Sequence, residues 1–168
     1  MSKVKPWIKS HKKITAAVLV VPIAFLILNC VWGIHHYMVF GNYEKITIDT
    51  IDSGLHCHMK DKKIFSVSSK KYLSFEGNLS INDSENKCFL LVWPKLNGEP
   101  DIGITLGEYD FYIDKNGNLA RDYDDISKKI YEENRELAMS LLNDYNEWTK
   151  AAENNDKTFF SEESMENA

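Results

Sequence analysis

The tripeptide His56-Cys57-His58 holds three side chains that can bind a metal or take part in redox chemistry. On a strand, successive side chains point to opposite faces, so His56 and His58 share one face and Cys57 takes the other. Two imidazoles two residues apart can hold Zn²⁺ or Cu²⁺ if a third ligand arrives from elsewhere. His35 and His36 are the other adjacent pair in the chain. The competing reading puts both imidazoles on a solvated sheet face and turns Cys57 toward the core. His56 and His58 are thus weak metal candidates, and no metal or other cofactor is expected. Cys57 and Cys88 are the two cysteines outside the apolar N-terminal stretch. If the part that contains them lies outside the cytoplasm, an even count in an oxidising compartment favours a Cys57–Cys88 disulfide. Closing a loop of about 30 residues would stabilise by roughly 3–4 kcal/mol in the chain-entropy picture. A bridged Cys57 could not also serve as a thiolate ligand.

Other constellations are weaker. Asp114-Lys115-Asn116-Gly117-Asn118 has the composition of a calcium loop, but Gly is fourth and the twelfth residue is Asp125. An EF-hand loop needs Gly at position 6 and Glu at position 12. Asn116-Gly117 reads instead as a turn, because both residues tolerate positive φ. The acids Asp122, Asp124, Asp125, Glu132, Glu133 and Glu136 fit the first turn and solvent face of a helix as well as acid–base chemistry. No Ser-His-Asp order, nucleophile elbow or phosphate-binding glycine loop is present, so the chain is not expected to be an enzyme.

The elements that carry these residues begin with an anchor. Ile14 to Ile34 contains no residue charged at neutral pH, and its centre, Ala16–Leu28, is built from Ala, Val, Pro, Ile, Phe and Leu alone. A helix of that length spans roughly 30 Å, a bilayer's hydrocarbon thickness. Pro22 is tolerated in such a helix, and Trp7, Trp32 and Tyr37 suit the two interfaces. Lys3, Lys5, Lys9, Lys12 and Lys13 precede the stretch, and the first acid after it is Glu44. The positive-inside rule then places residues 1–13 in the cytoplasm and the remainder outside, with a bacterial inner membrane as the expected setting. A cleavable signal peptide fits less well, since its apolar part is shorter and ends in small residues, whereas this one ends Asn29-Cys30-Val31-Trp32. Asn29 also makes Cys30 a poor lipidation site.

After a linker at 35–42, residues 43–152 read as one α+β domain. Candidate strands are Lys45–Ile51, Leu55–Met59, Ile64–Val67, Tyr72–Phe75, Lys87–Trp93 and Glu108–Ile113, separated by turn-forming clusters such as Asp52-Ser53-Gly54 and Asn97-Gly98. Lys87–Trp93 (KCFLLVW) is the most apolar and reads as a central strand stopped by Pro94. Close spacing favours an antiparallel meander. From Asp124, a reasonable N-cap, the apolar positions Ile126, Ile130, Leu137, Leu141, Tyr145 and Trp148 recur in steps of three and four. They predict one long amphipathic helix, to about Ala152, covering the sheet. Residues 153–168 are polar and acidic and read as a disordered tail, with Phe159 and Phe160 its only large apolar side chains.

The net charge of −5 is unevenly spread: residues 33–151 hold 14 Lys and Arg against 20 Asp and Glu. An acidic body excludes a phosphate-backbone partner, so no nucleic acid is expected. The expected partners are the bilayer and another protein. The expected function is a membrane-tethered, extracytoplasmic protein-binding domain, either inhibitor- or immunity-like or an accessory subunit of a membrane or envelope system. The alternatives are an anchored metal-binding protein or enzyme using His56 and His58, and a structural subunit of an envelope assembly.

Overall fold

In the computed structural model, residues 12–47, 49–52, 55–69 and 72–160 are described. Helix α1 covers Lys12–Val39 and includes Pro22. Every side chain from Val20 to Leu28 is exposed, and the stretch Val20–Val39 is apolar and long enough to cross a membrane. The helix does not end in a linker. Backbone hydrogen bonds from Phe40 N to His36 O (2.9 Å) and from Glu44 N to Phe40 O (3.0 Å) carry it directly into α2, Gly41–Ile46. Val39, Phe40 and Ile46 are buried in the core of the domain. The segment 35–42 is therefore structure, because its apolar residues have a surface to cover.

Among the described residues seven strands follow: β1 (Asp49–Asp52), β2 (Leu55–Lys60), β3 (Lys63–Ser69), β4 (Gly77–Asp83), β5 (Cys88–Trp93), β6 (Asp101–Leu106) and β7 (Tyr109–Ile113). They form a single antiparallel sheet in sequence order, which is the expected meander. One face is the core. Phe65 and Val67 on β3 pair with Ile81 and Leu79 on β4, which pair with Leu90 and Val92 on β5. Those meet Ile104 and Ile102 on β6, then Phe111 and Ile113 on β7. All ten side chains are at most 3% exposed. Fully burying a residue of this kind stabilises by roughly 1.5–3 kcal/mol.

Four local expectations change. Lys45 and Ile46 belong to α2, and the strand begins at Asp49. Tyr72–Phe75 is a turn and irregular chain rather than a strand. β4 and β6 lie where turn residues and a glycine hid the alternation. The C-terminal helix is two helices, α3 (Asp125–Glu133) and α4 (Arg135–Glu153), broken at Asn134. Asp124 does cap α3, its carboxylate accepting from Ser127 N at 2.8 Å. The break follows from Tyr131, whose buried hydroxyl donates to Gly117 O at 2.7 Å and whose ring meets Phe111. That anchoring turns α3 so that Ile126, expected on the apolar stripe, is 72% exposed. Asn134 Nδ2 donates to the Ile130 carbonyl at the break. Along α4 the stripe holds: Ala138, Leu141, Leu142, Tyr145, Trp148 and Ala152 are buried against the sheet.

The chain also remains ordered past α4. A 3₁₀ turn, Lys157–Phe160, brings Phe160 onto Phe65 and Trp148 at ring-centroid distances of 5.5 and 6.5 Å. Within the expected disordered tail, residues 153–158 are thus structured but exposed, Phe159 is half-buried and Phe160 is core, and 161–168 lie outside the described residues.

Candidate functional site

β2 presents its chemistry inversely to expectation. His56 is paired with Val67 and His58 with Phe65, so both imidazoles take the core face. Cys57 is paired with Ser66 on the outer face, where its thiol donates to Ser66 Oγ at 3.3 Å. Strand parity is set by pairing, and the buried residues of β3 fix it against the apolar alternation of β2 itself. His58 packs on Phe160 at 4.5 Å between ring centroids. His35 packs on Phe75, while His36 pairs with Glu44 at 3.3 Å and stacks on Trp32. Among the described residues, no group of three His, Cys, Asp or Glu side chains could hold a metal ion.

The expected Cys57–Cys88 disulfide is not made, and both thiols are free. Cys57 is on β2 and Cys88 on β5, three strand spacings apart, about 14 Å at the usual inter-strand distance. They also face opposite sides of the sheet, whereas a disulfide needs Cα atoms within about 7 Å. Cys88, 2% exposed, lies instead at the end of the core face opposite Asp83. Burial, then the nearby Asp83 carboxylate, pushes its thiol up to about 11, leaving it a protonated, weakly nucleophilic group at neutral pH. Lys63 pairs with Asp144 of α4 at 2.6 Å. Burial opposes the charge on Lys63, but the hydrogen bond and charge of Asp144 outweigh it and hold the ammonium above its ordinary value. Asp83 is likewise buried, yet donors from the Asn86 side chain and backbone keep its carboxyl below the usual carboxylate range. This cluster ties α4 to the far end of the sheet.

The loop at Asp114–Asn118 is built as a turn. The Asp114 carboxylate accepts from Asn116 N and Asn118 N, each at 2.8 Å, and Gly117 has φ +73°.

The arrangement best suited to recognition is on the outer face of the sheet, the side away from α4. Phe89, Leu91 and Trp93 of β5 alternate with the buried Cys88, Leu90 and Val92, so β5 is apolar on both faces. Together with Gly103 and Thr105 of β6 and Asp110 and Tyr112 of β7 they line a groove of about 360 Å³. Gly103 makes the floor. A Cβ there would lie 3.0 Å from Trp93 Cζ3 and 3.2 Å from Cη2, so glycine is what lets the indole rest on the sheet. Trp93 and Tyr112 are nearly parallel, 21° apart with centroids 6.1 Å apart, and the Arg121 guanidinium lies over the Tyr112 ring at 3.4 Å. Thr105 donates to Asp110 at 2.6 Å. Glu108 and Asp110 form an exposed acidic edge, while Asp101, near Trp93, is paired with Lys95 at 2.8 Å. Leu55, Cys57 and the exposed Met59 extend the same face on β2. The motif KCFLLVW carried the signal: a strand apolar at both parities needs two covers, and the described residues supply a helical layer for one. A second cavity of about 240 Å³ lies where Met38 and Tyr43 meet Tyr145 and Thr149. The Tyr43 hydroxyl bonds Thr149 at 3.0 Å, and burial raises its pKa above the ordinary phenol value.

No protein-family model matches the chain. Neither a curated protein nor a solved structure matches it.

Proposed function

We propose that this chain is a single-pass, membrane-anchored binding protein whose outer sheet face engages another protein outside the cytoplasm. The carrying observation is the aromatic groove over Gly103, formed by Trp93, Tyr112 and Phe89 on the side of the sheet opposite α4. Aromatic side chains and Arg are the types that concentrate binding energy at protein interfaces. The exposed carboxylates of Glu108 and Asp110 favour a partner with a basic group beside an apolar centre. The anchor reading rests on the length and apolarity of α1, and the orientation on the five lysines before its uncharged stretch. A partner neutralised by the domain, as by an inhibitor or immunity protein, and a larger membrane assembly stabilised by it both fit this arrangement.

The test is cross-linking of the full chain in its native membranes, comparing wild type with Trp93→Ala and Tyr112→Ala. Truncating an interface aromatic of this kind costs about 2 kcal/mol, roughly 30-fold in affinity. One protein should be captured by wild type and lost from both variants, whose thermal unfolding is unchanged. Equal capture by all three chains would refute the assignment of the groove.

A further inference from the structure

The segment joining β3 to β4 does not follow the sheet; residues 72–76 run down beside α1. The Trp32 indole donates to Ser74 O at 3.0 Å, and the Tyr72 hydroxyl bonds Asn29 Oδ1. Tyr72 meets Trp32 edge-on at 5.4 Å, and Phe75 meets His35 edge-on at 5.2 Å. Two of these side chains remain largely uncovered: Tyr72 is 58% exposed and Phe75 49%.

Their height along α1 gives this exposure its meaning. A side chain touching residue i of a helix lies at the depth of residue i. Asn29 is five residues before Ile34, which sets Tyr72 about 7.5 Å below the outer end of the uncharged stretch at the usual helical rise, whereas His35, one residue past Ile34, sets Phe75 at that end. Tyr72, an aromatic with a polar tip, suits that zone, Phe75 supplies apolar surface at its edge, and interfacial elements sink about 5–10 Å into the headgroup and acyl boundary. The polar atoms are arranged for poor solvation. Asn29 Nδ2 donates to Phe25 O at 2.7 Å and Asn29 Oδ1 accepts from Tyr72, so both ends of an amide inside the apolar stretch are satisfied. Ser74 O is satisfied by Trp32. An unpaired amide in hydrocarbon would be costly.

We propose that residues 72–76 form a second membrane contact, a loop that inserts Tyr72 and Phe75 into the outer lipid interface beside the anchor. The inference rests on the anchored reading of α1. With α1 continuous into the core through Val39 and Phe40, the loop makes a second foot, and two feet fix the tilt of the sheet relative to the bilayer.

The test uses the full chain in lipid nanodiscs, with Cys30→Ser and Cys57→Ser and the buried Cys88 left in place. An environment-sensitive fluorophore is attached at Phe75→Cys, at Tyr72→Cys as a second reading of the loop, at Ile27→Cys in the anchor, and at Glu85→Cys. Glu85 lies in the turn beyond the end of β4 opposite Gly77, whose backbone abuts Phe40, so it marks the membrane-distal end. Nitroxide placed near the top of the lipid acyl chains should quench positions 75, 72 and 27 but not 85. Aqueous iodide should quench position 75 at least about threefold less than position 85, as expected for a probe sunk in the interface. If position 75 is as open to iodide as position 85 while position 27 is lipid-quenched, the loop inference falls and the anchor stands. Protection of positions 75 and 72 from both quenchers would mean protein covers the loop, which also overturns the inference. Failure of lipid quenching at position 27 overturns the anchor reading and the loop contact together.

Discussion

Replacing Phe160 with alanine should lower the thermal stability of the domain by roughly 12 °C. The side chain is 5% exposed and sits in an aromatic nest, 4.5 Å from His58, 4.7 Å from Phe159, 5.5 Å from Phe65 and 6.5 Å from Trp148 between ring centroids. Buried Phe→Ala changes cost about 3–5 kcal/mol, and the lower end applies where the surroundings can relax. Phe160 sits on a short 3₁₀ turn at the edge of the core, which can relax, so about 3 kcal/mol is the appropriate figure. Unfolding entropy near 2 cal/mol/K per residue, over a domain of about 120 residues, converts this to roughly 12 °C. The assay is thermal unfolding of the full chain in detergent, read by near-ultraviolet circular dichroism and tryptophan emission, since Trp148 borders the nest. Phe159→Ala supplies the contrast. Phe159 is half-buried, with Lys60 Nζ 3.7 Å over its ring, and should cost about 1 kcal/mol, within the range for a cation–π contact with modest burial. If Phe160→Ala unfolds within about 2 °C of wild type, the docking of residues 157–160 is refuted and the polar tail begins at 153 after all.

Protein taken from its native compartment should show Cys57 and Cys88 as free thiols by non-reducing mass spectrometry, and reductant should leave its unfolding temperature unchanged; a Cys57–Cys88 linked peptide would contradict the strand order. Because the Cys88 thiol is raised from 9.0 to about 11 in the fold, its contribution is full below about pH 9 and is lost as pH rises toward 11. Cys88→Ala should flatten that alkaline limb of a stability–pH curve. Asp83 behaves oppositely: its carboxyl is lowered from 3.8, so its contribution is present above that value and lost as pH falls through the depressed one. Asp83→Asn should make the acid limb shallower in the same measurement. Gly117→Ala should destabilise by about 1 kcal/mol or more, chiefly because φ is +73°, with the flexible Met139 side chain having to shift to admit a Cβ, and denaturant unfolding would read the loss.

The antiparallel α+β class was legible because turn clusters recur between short alternating runs and the period then changes to that of a helix. What local patterns missed has physical causes. β4 carries Leu79 and Ile81 between Gly77-Asn78 and Asn82-Asp83, so its ends look like turns although all seven residues pair with β3. β6 is interrupted by Gly103, a glycine required by Trp93 from the neighbouring strand. On β2 the residues Leu55, Cys57 and Met59 alternate as a core face should, yet pairing with β3 turns them outward. Phe40 and Phe160 belong to segments whose own composition says linker and tail; only the cavities waiting for them, built from distant parts of the chain, make them core. The groove was half-visible, because the double-sided apolarity of β5 is in the sequence, whereas the lack of a helical layer over Phe89, Leu91 and Trp93 among the described residues is a property of the assembled fold.

The order of the sheet also bears on how the chain is made. Every strand pairs with its neighbours in sequence, so the hairpins can form successively as the chain emerges, with little loop-closure entropy to overcome at each step. The cover for the core face comes last: α4 begins at Arg135, after all seven strands. Until then Leu79, Ile81, Leu90, Val92, Ile102 and Ile104 have no layer above them, and a chain halted before Arg135 is paired but open. The vulnerable interval in the life of this protein is therefore the synthesis of its final helix, and a pulse of protease or of hydrogen exchange should find the strands protected only once that helix has closed over them.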